Sequence, residues 1–342
     1  MKTVLASAIL ITFGSSVYAD TILYGQFHGS LDIIKSANSS KDTTLSSNSS
    51  RIGIKGSTDL NDDLRAIFQA EWEMDTGGGD NTQFIPQNAS TQTSANNILT
   101  DRNQIVGLSG RLGTVFMGRF DTPLKIIGRK ADLFWRSQLG QNRNITRRDI
   151  NWDARHNNII GYQLPYVEGL KVLGTYVIDR DDDSNGNSNE NNSLSINGIY
   201  ENNKLTIGAG YEVRTRDTSE DEEAFRLMGT YEFGDTKLVG FYQDEDNGQL
   251  GEASVYGMGG SHKISASGLI KAQYYTRDQT GEDGELLAIG YDHSLGKKTQ
   301  IYAQYARTEN LGGIGGAGHD ERFTAGGNAK VDGISIGIRH KF

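Results

Sequence analysis

Along SRIGIKGST, residues 50–58, the side chains of Arg51, Gly53 and Lys55 alternate with those of Ile52 and Ile54. A period of two marks a strand with one polar and one apolar face. After a tight polar turn at 61–63, LRAIFQAEWEM repeats it, with Arg65, Gln69, Glu71 and Glu73 opposite Ala66, Phe68, Ala70, Trp72 and Met74. The same alternation predicts sixteen strands, near 21–36, 50–58, 64–76, 102–110, 113–121, 157–164, 169–179, 193–200, 204–215, 224–233, 236–243, 252–263, 268–277, 285–294, 298–309 and 327–342.

The connections between these strands are of two kinds. Those at 59–63, 111–112, 165–168, 201–203, 234–235, 264–267 and 295–297 are short; those at 37–49, 77–101, 122–156, 180–192, 216–223, 244–251, 278–284 and 310–326 are longer and mostly polar. Strict alternation of short and long connections over an even number of strands predicts an all-β fold, a 16-stranded antiparallel transmembrane β-barrel with both termini on the short-turn side. In hydrocarbon an unpaired backbone amide costs several kcal/mol, so a strand protein can cross a bilayer only as a closed barrel. Sixteen strands leave a water-filled lumen, whereas eight would be filled by their own side chains.

Composition fits this reading. No stretch approaches the ~18 consecutive apolar residues of a membrane helix. The prolines, Pro86, Pro123 and Pro165, all fall in predicted connections, where a missing amide donor breaks no ladder. There is no cysteine, so neither disulfides nor thiolate metal sites hold the fold. The start, MKTVLASAILITFGSSVYAD, has a basic residue, a short apolar run and small residues before Ala19. Residues 1–19 are therefore expected to be a signal peptide and 20–342 the barrel domain. Removing 1–19 takes away Lys2 alone and moves the formal charge from −9 to −10, which argues against a nucleic-acid partner.

The chain ends GISIGIRHKF, with Ile334, Ile336, Ile338, His340 and Phe342 on one face. An aromatic last residue on a closing strand belongs at a membrane interface. This ending resembles the terminal signature of outer-membrane proteins, which implies that Phe342 is read by the barrel assembly machinery. With ILYGQFHGSLD, SSRIGIKGSTDLNDDLRAIFQAEWEMD, RNQIVGLSGRLGTVFMGRFDTPL and RHNNIIGYQLP, the chain resembles the trimeric general diffusion porins of Gram-negative bacteria, especially the neisserial and proteobacterial branch. The resemblance implies a homotrimer in the outer membrane, amid lipid and lipopolysaccharide. Each subunit would pass ions and small hydrophilic solutes through its own pore, narrowed by an inward-folded third extracellular loop. That loop corresponds to residues 122–156, where 126–140 predict a short helix anchored by Phe134 and Trp135.

In the family, basic wall residues face acidic loop residues across the constriction. The wall candidates are Arg51, Lys55, Arg102 and Arg119, the last sharing a face with Val115 and Met117; the acidic candidates are Asp121 and Asp132. This chain departs from the pattern, because residues 122–150 hold seven basic side chains, among them Arg129, Lys130 and Arg136, against two acidic. A basic constriction favours anions, while the acidic mouth loops favour cations over about 8–10 Å; the balance tips towards anions.

Other motifs carry less. Gly313 to Gly318 matches G-x-G-x-x-G but opens no helix that could receive a pyrophosphate. Asp181, Asp183 and Asn185 match the opening of a calcium loop, yet position twelve is Asn192 rather than a bidentate Glu. No zinc spacing and no G-x-S-x-G occurs, so no cofactor and no enzymatic activity are expected. The nearest alternative is a sugar- or oligosaccharide-specific channel on the same barrel.

Overall fold

A computed structural model describes residues 20–36, 42–76, 99–178, 191–216, 220–279, 283–315, 322–324 and 329–342. The predicted signal peptide and the calcium-like residues Asp181, Asp183 and Asn185 lie outside the described residues. The strands are β1 (Asp20–Ser36), β2 (Asp42–Ser47), β3 (Arg51–Asn61), β4 (Leu64–Met74), β5 (Leu99–Gly110), β6 (Gly113–Asp121), β7 (Arg155–Gln163), β8 (Leu170–Val177), β9 (Ser193–Glu201) and β10 (Leu205–Arg214). They continue with β11 (Glu222–Phe233), β12 (Thr236–Asp246), β13 (Glu252–Lys263), β14 (Gly268–Gln279), β15 (Gly284–Ser294), β16 (Thr299–Glu309), the short β17 (Gly313–Gly315) and β18 (Arg322–Thr324), and β19 (Lys330–Lys341). Two helices, α1 (Pro123–Ala131) and α2 (Arg143–Thr146), lie between β6 and β7.

From β3 to β16 each strand pairs antiparallel with the next, and β19 pairs with both β16 and β1. The sheet thus closes on itself into a ring. β2 and β3 together form one stave against β1, with Gly29 opposite Ser47 and Gln26 opposite Arg51. Counted this way the barrel has sixteen staves, and β17 with β18 makes a separate hairpin. The break at 48–50 keeps β1 satisfied, because Asn48 N donates to His28 O at 2.7 Å and His28 N donates to Ser50 Oγ at 3.0 Å. β2 was hidden in the sequence by its run of Ser and Thr, where Leu45 is the one large apolar residue to mark a face.

The faces are inverted relative to a water-soluble sheet. Along β9, Ser193, Ser195 and Asn197 are buried while Leu194 and Ile196 are exposed; along β19, Ser335 is buried while Ile334, Ile336 and Ile338 are more than half exposed. Apolar side chains pointing outwards on every stave form a patch far larger than a soluble monomer tolerates. Such a belt fits a lipid solvent and an aqueous lumen. Among the described residues no helix is long and apolar enough to cross a membrane; the crossing is made by strands.

Two irregularities re-aim side chains. The register shifts between Ala70 and Trp72 on the β4–β5 seam and between Gly118 and Phe120 on the β6–β7 seam. An extra residue in one strand turns its successor to the other face. On β5 this sends Arg102 inwards although Gln104, Val106 and Leu108 follow the outer face.

Candidate functional site

The chain between β6 and β7 folds back onto the lumen face. Thr122 caps α1, its Oγ1 accepting from Lys125 N at 3.3 Å, and Pro123 takes the first turn, where its missing N–H is no loss. Helix α1 therefore starts three residues earlier than the sequence suggested and stops at Ala131. Its end is set by Asp132, whose carboxylate accepts from Phe134 N at 2.8 Å and Asn142 N at 3.0 Å, pulling the chain into a compact loop. Phe134 is buried, whereas Trp135 is only partly covered and lies under the Arg143 guanidinium.

Two apolar patches on the inner wall receive this segment. Ile127, Ala131 and Ile145 pack with Ile199, Met228, Val239, Phe241 and Tyr275, while Phe134 and Leu139 pack with Ile34, Ala288, Ala306 and Val331. The helix approaches β10 so closely that a Cβ on Gly208 would lie 2.9 Å from Ile127 Cδ1. Polar clamps fix the register. Leu124 N donates to Ser195 Oγ at 3.2 Å, Asn197 Nδ2 to Pro123 O at 2.7 Å, Gln273 Nε2 to Asp132 Oδ1 and Gly140 O at 2.8 Å, and Gln304 Nε2 to Leu139 O at 2.9 Å.

Ion pairs then tie the segment at both ends. Arg226, fully buried on β11, donates to Leu124 O at 3.2 Å and pairs with Asp153 at 2.7 Å. On β14, Arg277 pairs with Asp149 and with Glu245, each at 2.6 Å. Lys271 lies 4.5 Å from the centre of the Phe134 ring and pairs with Asp292 at 3.0 Å. The few carboxylates of the segment are thus consumed in holding it to the wall.

Opposite the segment stand β3, β4 and β5. Arg102 pairs with Glu71 at 2.5 Å and also with Glu73, and Arg51 pairs with Glu71 at 3.2 Å. Arg136 lies on the segment within electrostatic reach of Arg51, Arg102 and Glu71, in a left-handed backbone conformation with φ of 67°. Burial, together with repulsion from Arg51, Arg102 and Arg129, pulls its pKa well below the usual guanidinium value. Arg339 and Lys341 on β19 add to the same positive field. Among the described residues Arg136 makes no ion pair.

The other sequence candidates are dispersed. Arg129 reaches Asp121 at 3.7 Å, and Asp121 is held more tightly by Arg155 at 2.7 Å and Lys125 at 2.8 Å, at the hinge where β6 gives way to α1. Asp121 is thus a hinge anchor rather than an acidic lining residue. Lys130 pairs with Glu201, which also holds Lys171 at 2.7 Å. Lys55 lies on the lumen face nearer the turns, 5.4 Å from the Tyr24 ring centre. Asp132 is buried beneath the segment, and burial lifts its pKa to about 6; it too is no open counter-charge. Arg119 is corrected outright. It follows Val115 and Met117 on the outer face, and its guanidinium donates to Asp101 O at 3.2 Å and Asn157 Oδ1 at 2.8 Å.

Sequence reasoning passed over Glu71 and Glu73 as ordinary lumen charges and missed Arg155, Arg226 and Arg277. The inward parity of Arg226 and Arg277 was readable on their predicted strands, whereas Arg155 fell in the predicted connection 122–156; what any of them would meet across the lumen was not readable. The G-x-G-x-x-G stretch begins in the β17–β18 hairpin, where Ile314 is buried with Leu139 and Phe134.

The profile of the family described as Gram-negative porin matches residues 6–313. Outer membrane porin protein 32 of Delftia acidovorans is 26% identical over 320 residues, covering 87% of this chain and 86% of its own. The fold superposes on the anion-selective porin from Comamonas acidovorans with a TM-score of 0.77 and 24% identity, over 95% of this chain and 100% of that one. It superposes on the trimer form of OmpT from Vibrio cholerae with a TM-score of 0.67 and 15% identity, over 95% and 99%.

Proposed function

We propose that this chain, which belongs to the Gram-negative porin family, is a passive channel whose narrowest part is set by residues 122–154 and carries a net positive field. The protein is an outer-membrane porin with a multi-strand barrel and a solute pathway through its lumen. One observation carries the finer reading. Arg51, Arg102 and Arg136 converge from the wall and the inner segment, and the carboxylates among them, Glu71 and Glu73, are already paired. A ring of cations in a confined, low-dielectric passage concentrates anions and repels cations. Arg129, Arg143, Arg339 and Lys341 extend that field along the passage.

The reading extends to biogenesis and assembly. Residues 1–19 direct export and are removed, the short turns face the periplasm, and Phe342, closing the seam through its bonds with Gly25, is the signal for barrel assembly. Three copies associate, as in the trimeric OmpT that shares the fold, surrounded by lipid and lipopolysaccharide. No cofactor and no catalytic step are part of the account.

Liposome swelling tests passive diffusion. Vesicles containing the refolded protein are expected to admit unrelated sugars at rates that fall smoothly with solute size. Saturable entry of one sugar, blocked by micromolar amounts of it, would contradict general diffusion.

A further inference from the structure

Where β1 meets β2 and β19, the lumen wall buries a carboxylate that no basic side chain answers. Asp32 on β1 is fully buried, and the groups around it among the described residues are hydroxyls rather than cations. Across the sheet it faces Ser335 on β19, and its lumen-side neighbour Ser30 faces Ser46 on β2; Ser335 in turn faces Gln304 on β16. Four strands thus contribute one lumen-facing row of polar side chains, and every member is buried.

The hydrogen bonds within the row decide which atoms are left over. Asn48 Nδ2 donates to Ser30 Oγ at 2.7 Å, and Ser30 Oγ donates to Asp32 Oδ2 at 2.8 Å. Gln304 Nε2 is used on Leu139 O at 2.9 Å. Each amide therefore has its nitrogen committed and its oxygen free. Asp32 Oδ1, Asn48 Oδ1, Gln304 Oε1, Ser46 Oγ and Ser335 Oγ are buried with no hydrogen-bond partner among the described residues. The hydroxyls of Ser46 and Ser335 stand beside the Asp32 carboxylate and can turn their hydrogens onto it. Even then both amide oxygens stay unmatched, and the charge stays without a counter-charge. Orphaned oxygens gathered round a buried carboxylate call for a cation.

We propose that these five oxygens form a site for one sodium ion. The donor set is all oxygen, which suits a hard cation. It carries a single negative charge, which a monovalent ion neutralises and a divalent ion would exceed. Two other groups of the same wall are already engaged: His28 Nε2 lies 2.9 Å from Tyr302 Oη, and Arg339, two lumen-facing positions along β19 from Ser335, donates to Gln300. The ion ties β2, β1, β19 and β16 together at the seam where the barrel closes, beside the inner segment at Leu139. The proposal is independent of the channel's selectivity.

The test uses the full-length protein refolded in detergent and unfolded by urea at constant ionic strength, with choline, which is too large for the site, replacing sodium. A ligand that binds only the folded state stabilises it increasingly with its concentration. The wild-type midpoint is therefore expected to rise by roughly a few tenths molar urea between low millimolar and several hundred millimolar sodium. D32N is expected to lose that rise, S335A to need several-fold more sodium for it, and E252Q on the exposed rim to leave it unchanged. A wild-type midpoint that is the same in sodium and in choline overturns the proposal and leaves water or a proton on Asp32. So does a rise that D32N keeps in full. Should D32N fail to fold, a sodium response in S335A identical to that of wild type also overturns it.

Discussion

Two arginines illustrate how position decides what a residue does. Arg102 is buried between Glu71 and Glu73, so replacing it with Met removes a buried cation shared by both carboxylates, of which Glu71 keeps Arg51 at 3.2 Å. A broken buried pair costs about 3–5 kcal/mol, and R102M is expected to lower the urea midpoint of unfolding by a corresponding amount. Arg136 has no ion pair among the described residues, so R136E is expected to change stability little and to move the reversal potential towards cation permeation. Arg119, on the outer face, is the control; R119Q should leave selectivity where it is. A third prediction concerns pH. Burial raises the Asp132 pKa to about 6 from a usual value near 3.9, so the folded protein binds this proton more tightly than the unfolded chain. The associated stability is full below about pH 4 and is lost as pH rises through about 6, on the order of 3 kcal/mol. Denaturant midpoints between pH 4 and 8 check this, and D132N should flatten the profile.

At the scale of elements, the inner segment is held by a cap, two apolar patches and buried ion pairs rather than by length alone. Arg226 and Asp153 are the firmest of these ties, both almost wholly buried. Replacing Arg226 with Met leaves Asp153 with only the more distant Arg143, at 3.9 Å, as a cationic partner and should loosen the segment, seen as larger and noisier single-channel conductance. The double change R226M/D153N, which removes both charges, should recover much of the quiet state. Strand positions were legible in the sequence because period-two alternation is local: β13 was placed to the residue. β2 was missed because Ser and Thr carry no contrast between faces, and Arg119 was misplaced because parity along one strand does not say which face is the lumen. Asp132 and Asp121 were read as lining because their charge was visible, whereas their burial depends on contacts with β7 and β14 far away in the chain.

At the scale of the whole molecule, closure and inversion belong together. A sheet with apolar residues outside and polar residues inside must have no edge, and pairing of β19 with β1 and β16 supplies that. The long polar connections then lie at one end, and one of them, 122–154, turns inwards because the wall from β9 to β16 offers it apolar ground. In the proposed reading the segment spends its acids on anchoring and presents Arg136, which makes no ion pair among the described residues, to the passage. Reversal potential in a KCl gradient across a planar bilayer measures the consequence directly. The sign expected is that of chloride passing more readily than potassium, reduced in R136E; a clear preference for potassium, or a barrel that conducts nothing, would contradict the account.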